Sequence, residues 1–105
     1  MRQPLPQRRA AETFDLTFWS QPLSVTIGFH PDGTPGEVFI DGGKSGQDAE
    51  SRARDAAVVL SLALQLGTPI KTIRHAVTRG ASKGPASILG AVVDSITAKS
   101  FSGGV

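Results

Sequence analysis

Residues 42–67, GGKSGQDAESRARDAAVVLSLALQLG, limit the fold more than any other stretch. The last two-thirds read as one helix, and over residues 56–66 that helix is apolar almost all round, the pattern of a helix placed in the middle of a domain. Its stop signal is local: Gly67 suits the left-handed position just past a helix, and Thr68-Pro69 offers an N-cap and a first-turn proline for the next one. Its start is a capping box with aspartate in place of glutamate, Ser45 and Asp48. Asp48 and Glu50 suit the positive end of the helix dipole, and Asp48 to Arg52 and Glu50 to Arg54 have the favourable i,i+4 orientation.

Upstream, Phe14, Leu16 and Phe18 alternate with Thr13, Asp15 and Thr17, and after the break Ser20-Gln21-Pro22 the same period returns in Leu23, Val25, Ile27 and Phe29. Turn residues fill 30–36, and a third run over 37–41 places Val38 and Ile40 on one face and Phe39 on the other. Short connections favour antiparallel neighbours. Downstream, Ile70, Ile73 and Val77 mark a second helix reaching Gly80, with Lys71, Arg74 and Thr78 facing away. Pro85 opens a third helix, carried by Ile88, Val92 and Ile96 and ending near Lys99. The expectation is an α+β domain: a three-stranded antiparallel meander followed by three helices packed on one face.

The chain has 105 residues, enough for one modest core that buries roughly 65% of the unfolded surface. Residues 11–99 are expected to form that domain, with 1–10 a disordered basic arm and 100–105 a disordered tail. The absence of cysteine excludes disulfides, thiolate metal sites and a cysteine nucleophile. Two distant histidines, His30 and His75, give no metal-ligand spacing, so no metal and no cofactor is expected. No apolar run reaches membrane-spanning length, and a cytoplasmic protein without membrane contact is expected. Arg2, Arg8 and Arg9 are three of the eleven basic residues, so the rest of the chain carries eight basic against nine acidic residues.

Gly42-Gly43-Lys44-Ser45-Gly46 lies between strand and helix, where backbone N–H groups can point at an anion and Lys44 adds a point charge. It is not a phosphate-binding P-loop, because the glycine required six residues before the lysine is Val38. Its other reading is a turn that only passes the chain from sheet to helix. Asp55, where the charged and apolar halves of the helix meet, is a candidate buried carboxylate paired with Arg52 or a backbone donor. Lys71, Arg74, His75, Arg79 and Lys83 form a run without an acid, read either as a solvated helical face or as a basic patch for a partner or polyanion. Arg8 and Arg9 are read as a solvated end or as an arm touching phosphate or an acidic surface. Trp19 is placed at the core edge, and His30 in a turn is structural or exposed.

Glu37-Val38-Phe39-Ile40, Gly43-Lys44-Ser45-Gly46, Arg54-Asp55-Ala56-Ala57, Leu60-Ser61-Leu62-Ala63-Leu64-Gln65 and Gly67, followed by Pro85, Gly90 and Asp94, resemble the TSCPD domain over about residues 14–98. That family is known as the carboxy-terminal extension of adenosylcobalamin-dependent class II ribonucleotide reductase large chains and as small free-standing proteins. The resemblance implies an α+β domain of strands followed by helices. The chain departs from the family's cysteine-bearing branch: Lys44 stands at the cysteine place, and Ala91-Val92-Val93-Asp94 keeps at best the aspartate of the naming tetrapeptide. Without thiols the chain is not expected to reduce ribonucleotides alone. The resemblance implies an accessory module docking on a reductase large chain or its relative through Lys44, Ser45 and Gly46 and the Lys71/Arg74 face. The alternative is a free-standing binder of anions, nucleotides or nucleic acid using Lys44 and the Arg8/Arg9 arm. An independent enzyme is disfavoured, since Asp55, Asp94, His30 and His75 show no telling spacing. Apolar residues on both faces of the third strand are compatible with a homodimer.

Overall fold

The computed structural model describes residues 10–41 and 47–98. Three strands, β1 (Ala11–Phe18), β2 (Gln21–Phe29) and β3 (Pro35–Asp41), are followed by α1 (Gln47–Gln65), α2 (Ile70–Ala76) and α3 (Ile88–Ala98). The strands form one antiparallel sheet in the order β1-β2-β3, with Phe14↔Val25↔Ile40 and Ile27↔Val38 among the cross-strand pairs. The α+β arrangement expected from the period-two runs and the later helices is therefore the one formed. One sheet face carries Leu23, Val25, Ile27, Val38 and Ile40 into a core completed by Ala53, Ala57, Leu60 and Leu64 of α1 and Val92, Val93 and Ile96 of α3. The opposite face is mostly polar, with Thr13 and Thr26 joined hydroxyl to hydroxyl at 2.9 Å.

Two readings of the first hairpin require correction. The β1–β2 reversal is Trp19-Ser20, both in the left-handed region (φ 49° and 65°), as a two-residue hairpin turn of the I′ kind demands. Gln21 and Pro22 already belong to β2. The β2–β3 ladder ends at Ser24↔Asp41, so the missing N–H of Pro22 removes no bond to β3 among the described residues. Trp19 is not at the core edge: at 82% exposed it stands at the hairpin tip, stacked on Phe18 with ring centroids 5.5 Å apart. His30 takes the structural one of its two readings: it is buried, with its backbone N–H donating to the Thr34 carbonyl at 2.9 Å.

α2 stops at Ala76, short of Gly80, because Val77 turns extended (ψ 155°). The chain then runs as an isolated bridge, Arg79↔Pro85, closed by a loop in which Gly80 N–H donates to the Gly84 carbonyl at 2.8 Å. That bridge takes Pro85 out of α3, which begins at Ile88. Ser87 is its cap, with Oγ accepting the Gly90 N–H at 3.1 Å. Gly90 sits at a close approach, where a Cβ would meet Pro85 Cβ at 3.2 Å, tighter than ordinary packing. The stop of α1 is formed as the sequence reads: Gly67 has φ 96°, its N–H reaches the Leu64 carbonyl, and Thr68 N–H reaches that of Ala63, both at 3.0 Å. This is a Schellman closure.

β3 is an edge strand, and α1 covers part of its edge with one hydroxyl. Ser61 Oγ accepts the Val38 N–H at 2.8 Å and donates to the Val38 carbonyl at 3.1 Å. Ser61→Ala strands both backbone groups in a part-buried position, and a loss of about 1–2 kcal/mol is expected in urea unfolding followed by circular dichroism, with an unchanged m-value.

Candidate functional site

The glycine-rich segment, Gly42, Gly43, Lys44, Ser45 and Gly46, and the arm residues Arg8 and Arg9 lie outside the described residues. The remaining candidates are placed as follows. Asp55 is exposed. The core residues of α1, Ala53, Ala57, Leu60 and Leu64, occupy one helical face, and 100° per residue turns Asp55 away from it, so the expected burial of this carboxylate does not occur. Asp48 and Arg52 form the anticipated i,i+4 pair at 2.9 Å, fully on the surface and worth little.

Lys71 and Arg74 both sit on α2 and both are exposed, but Arg74 is held by a carboxylate: its Nε donates to Asp94 Oδ1 of α3 at 3.2 Å. Arg79 does not continue the helical face. It folds back as a fork on Asp94, Nη1 to Oδ2 and Nη2 to Oδ1, the latter at 2.7 Å, and Nη2 also donates to the Arg74 carbonyl at 3.0 Å. One side chain thereby closes the carboxyl end of α2 and ties it to α3. The basic run is thus partly neutralised by an acid distant in sequence.

Hydrogen bonding from Arg79, then its charge and that of Arg74, holds the Asp94 carboxyl below the usual carboxylate range, against the opposing effect of burial. A depressed carboxylate contributes stability that is present above its unfolded pKa, near 3.9, and is lost as pH falls through the lower folded value. Asp94→Asn is accordingly expected to cost about 1 kcal/mol at neutral pH. The difference between the two proteins should close below about pH 3, as measured by urea midpoints across the acid range.

The arrangement with more chemical consequence is apolar. Val58, Leu62 and Leu66 recur every four residues on the side of α1 away from its core set, with Val59 beside them, and all four are exposed, Val59 at 61% and Leu66 at 57%. Phe39, on the outer face of β3, is 56% exposed. Between β3 and α1 lies a groove of about 660 Å³ whose wall includes Phe39, Ile40, Val58 and Leu62. Glu37, Asp41 and Glu50 line it as well, against a single guanidinium, Arg54. The charge-centred reading missed this surface, although its signal was present in a helix apolar on more sides than one core can cover. Among the described residues no cluster of three or more His, Cys, Asp or Glu could hold a metal ion, and no helix is long and apolar enough to cross a membrane.

The sequence model of the TSCPD domain matches residues 2–98. A vitamin B12-dependent ribonucleotide reductase of Rhodopirellula baltica is 32% identical over 72 residues, which are 69% of this chain and 7% of the reductase. The reductase of the same description from Agrobacterium fabrum is 34% identical over 77 residues, 73% of this chain and 6% of its own length. That of Bradyrhizobium diazoefficiens is 33% identical over 69 residues, 66% of this chain and 6% of its own. The aligned part is thus a small fraction of each relative. No solved structure matches.

Proposed function

Since the chain belongs to the TSCPD domain family, we propose that it is a non-catalytic accessory module that docks on a B12-dependent ribonucleotide reductase large chain or a close relative of one, in the cytoplasm. The observation that carries this reading is the exposed stripe of α1, in particular Val59, Leu62 and Leu66. A contiguous apolar helix face left in water marks a surface meant for a partner. Helices with apolar residues at i, i+3 and i+7 are recognised by laying that face against an apolar groove. In the relatives the similar segment is 6% or 7% of a far longer chain.

The chemistry available supports a non-catalytic role. With no cysteine, the chain has no thiol to pass electrons to a disulfide or to a substrate. Polyanion binding loses support where Arg74 and Arg79 are engaged with Asp94. Lys44 and its glycine-rich neighbours immediately precede α1 in the chain and are proposed as a charged flank of the same contact.

The test is binding of the purified chain to a purified B12-dependent reductase large chain from the same cells, comparing wild type with Leu66→Asp and Lys44→Glu. Micromolar or tighter binding that Leu66→Asp abolishes supports the reading. Absence of binding by wild type, or equal binding by Leu66→Asp, overturns it.

A further inference from the structure

The two edges of the sheet differ. The edge of β3 is held by α1, through Ser61 at Val38. β1 is the other edge strand, and its register with β2 runs without a shift from Ala11↔Gly28 to Phe18↔Gln21. The Phe29 N–H donates to the Ala10 carbonyl at 3.0 Å, so the even-numbered residues of β1 turn their backbone groups towards β2. The two-residue period then turns the N–H and carbonyl of Ala11, Thr13, Asp15 and Thr17 outward. All four residues are exposed, and among the described residues no hydrogen bond reaches those outward groups. β1 has no bulge, proline or lysine, the devices that keep an edge from pairing. The one charge among its four outward residues is that of Asp15, and where it falls sets the register.

This edge is complementary to itself. In a two-fold antiparallel pair of β1 strands, outward residues face outward residues. Centred on Phe14, the pairing sets Ala11 opposite Thr17 and Thr13 opposite Asp15, each twice, so that all the outward groups are used in about eight hydrogen bonds. Centred on Asp15, it would put like charges directly opposite one another. Centred on Thr13, it would leave Thr17 opposite no described residue.

The side chains agree with the first of these registers. Thr13 lies on the polar face, joined to Thr26 hydroxyl to hydroxyl at 2.9 Å, and either can be the donor. With Thr26 donating, Thr13 keeps its proton for the carboxylate of Asp15 in the second copy. On the core face Phe14, Leu16 and Phe18 are half-buried against the core. A seam centred on Phe14 continues that apolar face from one copy into the other.

We infer that two copies of the chain join edge to edge along β1, about a two-fold axis at Phe14, so that two three-stranded sheets become one continuous sheet. The exposed stripe of α1 stays open in this dimer, because α1 packs on β3 at the opposite edge. Dimerisation and docking on a reductase are therefore independent events.

The experiment uses the full chain alone, without any reductase, so its failure and that of the docking test are distinguishable. Sedimentation equilibrium and amide hydrogen exchange are compared for wild type, Asp15→Pro and Thr13→Asp. Asp15→Pro removes an outward N–H and no bond to β2, the position at which an edge strand tolerates proline. Thr13→Asp keeps every backbone donor and sets carboxylate against carboxylate in both Thr13–Asp15 pairs. A wild-type dimer is expected whose Thr13 and Thr17 amides lose protection on dilution, and whose association constant falls at least about tenfold in each variant. The Ile27 amide should be equally protected in all three, showing an intact sheet. Should proline disturb the sheet, loss of Ile27 protection reveals it and Thr13→Asp decides alone. A wild type that sediments as a monomer overturns the proposal. So does protection of Thr13 and Thr17 that is independent of concentration, which would assign the edge to a segment of the same molecule, and so does a dimer of unchanged affinity in Thr13→Asp, which would place the interface elsewhere.

Discussion

Leu60→Ala is expected to lower the unfolding free energy by about 3 kcal/mol. Leu60 is 2% exposed and belongs to the core that α1 shares with the sheet and α3. On its amino-terminal side the same helical face offers Ala53 and Ala57, which are too small to move into the space left behind. Single domains of this size have a total stability of only about 5–15 kcal/mol, so a large part is removed by one truncation, and the melting temperature should drop by on the order of 15 °C. Leu66→Ala, two turns along but 57% exposed, should stay within about 0.5 kcal/mol. Calorimetry of the pair checks the assignment of the two faces of α1; equal losses would mean that the outer face is packed in the free protein.

The second large effect concerns binding and spares folding. Leu66→Asp introduces a carboxylate that water solvates in the free chain but that a docked apolar surface would strip of water without offering a partner. An anchor at the centre of such a contact typically carries 2 kcal/mol or more, so affinity for a reductase large chain is expected to fall at least about 30-fold while thermal stability stays near wild type. Titration calorimetry of wild type and variant against the same large chain gives the answer. Lys44→Glu, acting at the rim, should reduce association rate and salt dependence more than it raises the dissociation rate.

What could be read from the sequence was whatever is decided within a few residues. Period-two runs gave β1, β2 and β3, and the closure at Gly67 follows from one residue able to take positive φ. The β1–β2 turn escaped notice because Trp19 and Ser20 lack the asparagine and glycine usual in that turn, whereas Ser20-Gln21-Pro22 looks like a breaker. α2 was read too long because its end depends on Asp94, an acid contributed by α3, drawing Arg79 back. Pro85 and Ser87 both carry helix-start chemistry, and the bridge to Arg79 decided between them. The stripe on α1 was legible as apolar but not as exposed, since a run of Val and Leu reads the same whether its own core or a partner covers it.

The tip of the β1–β2 hairpin has an optical consequence. Trp19, the chain's sole tryptophan, is 82% exposed in the folded state. Its emission already comes from an indole in water, so the wavelength will scarcely move when the chain unfolds, and a flat fluorescence trace in denaturant would say nothing about stability. The same indole becomes a reporter of a different event. A blue shift on mixing with another molecule would mean that the hairpin tip has left water, where among the described residues Trp19 rests against one other ring, that of Phe18.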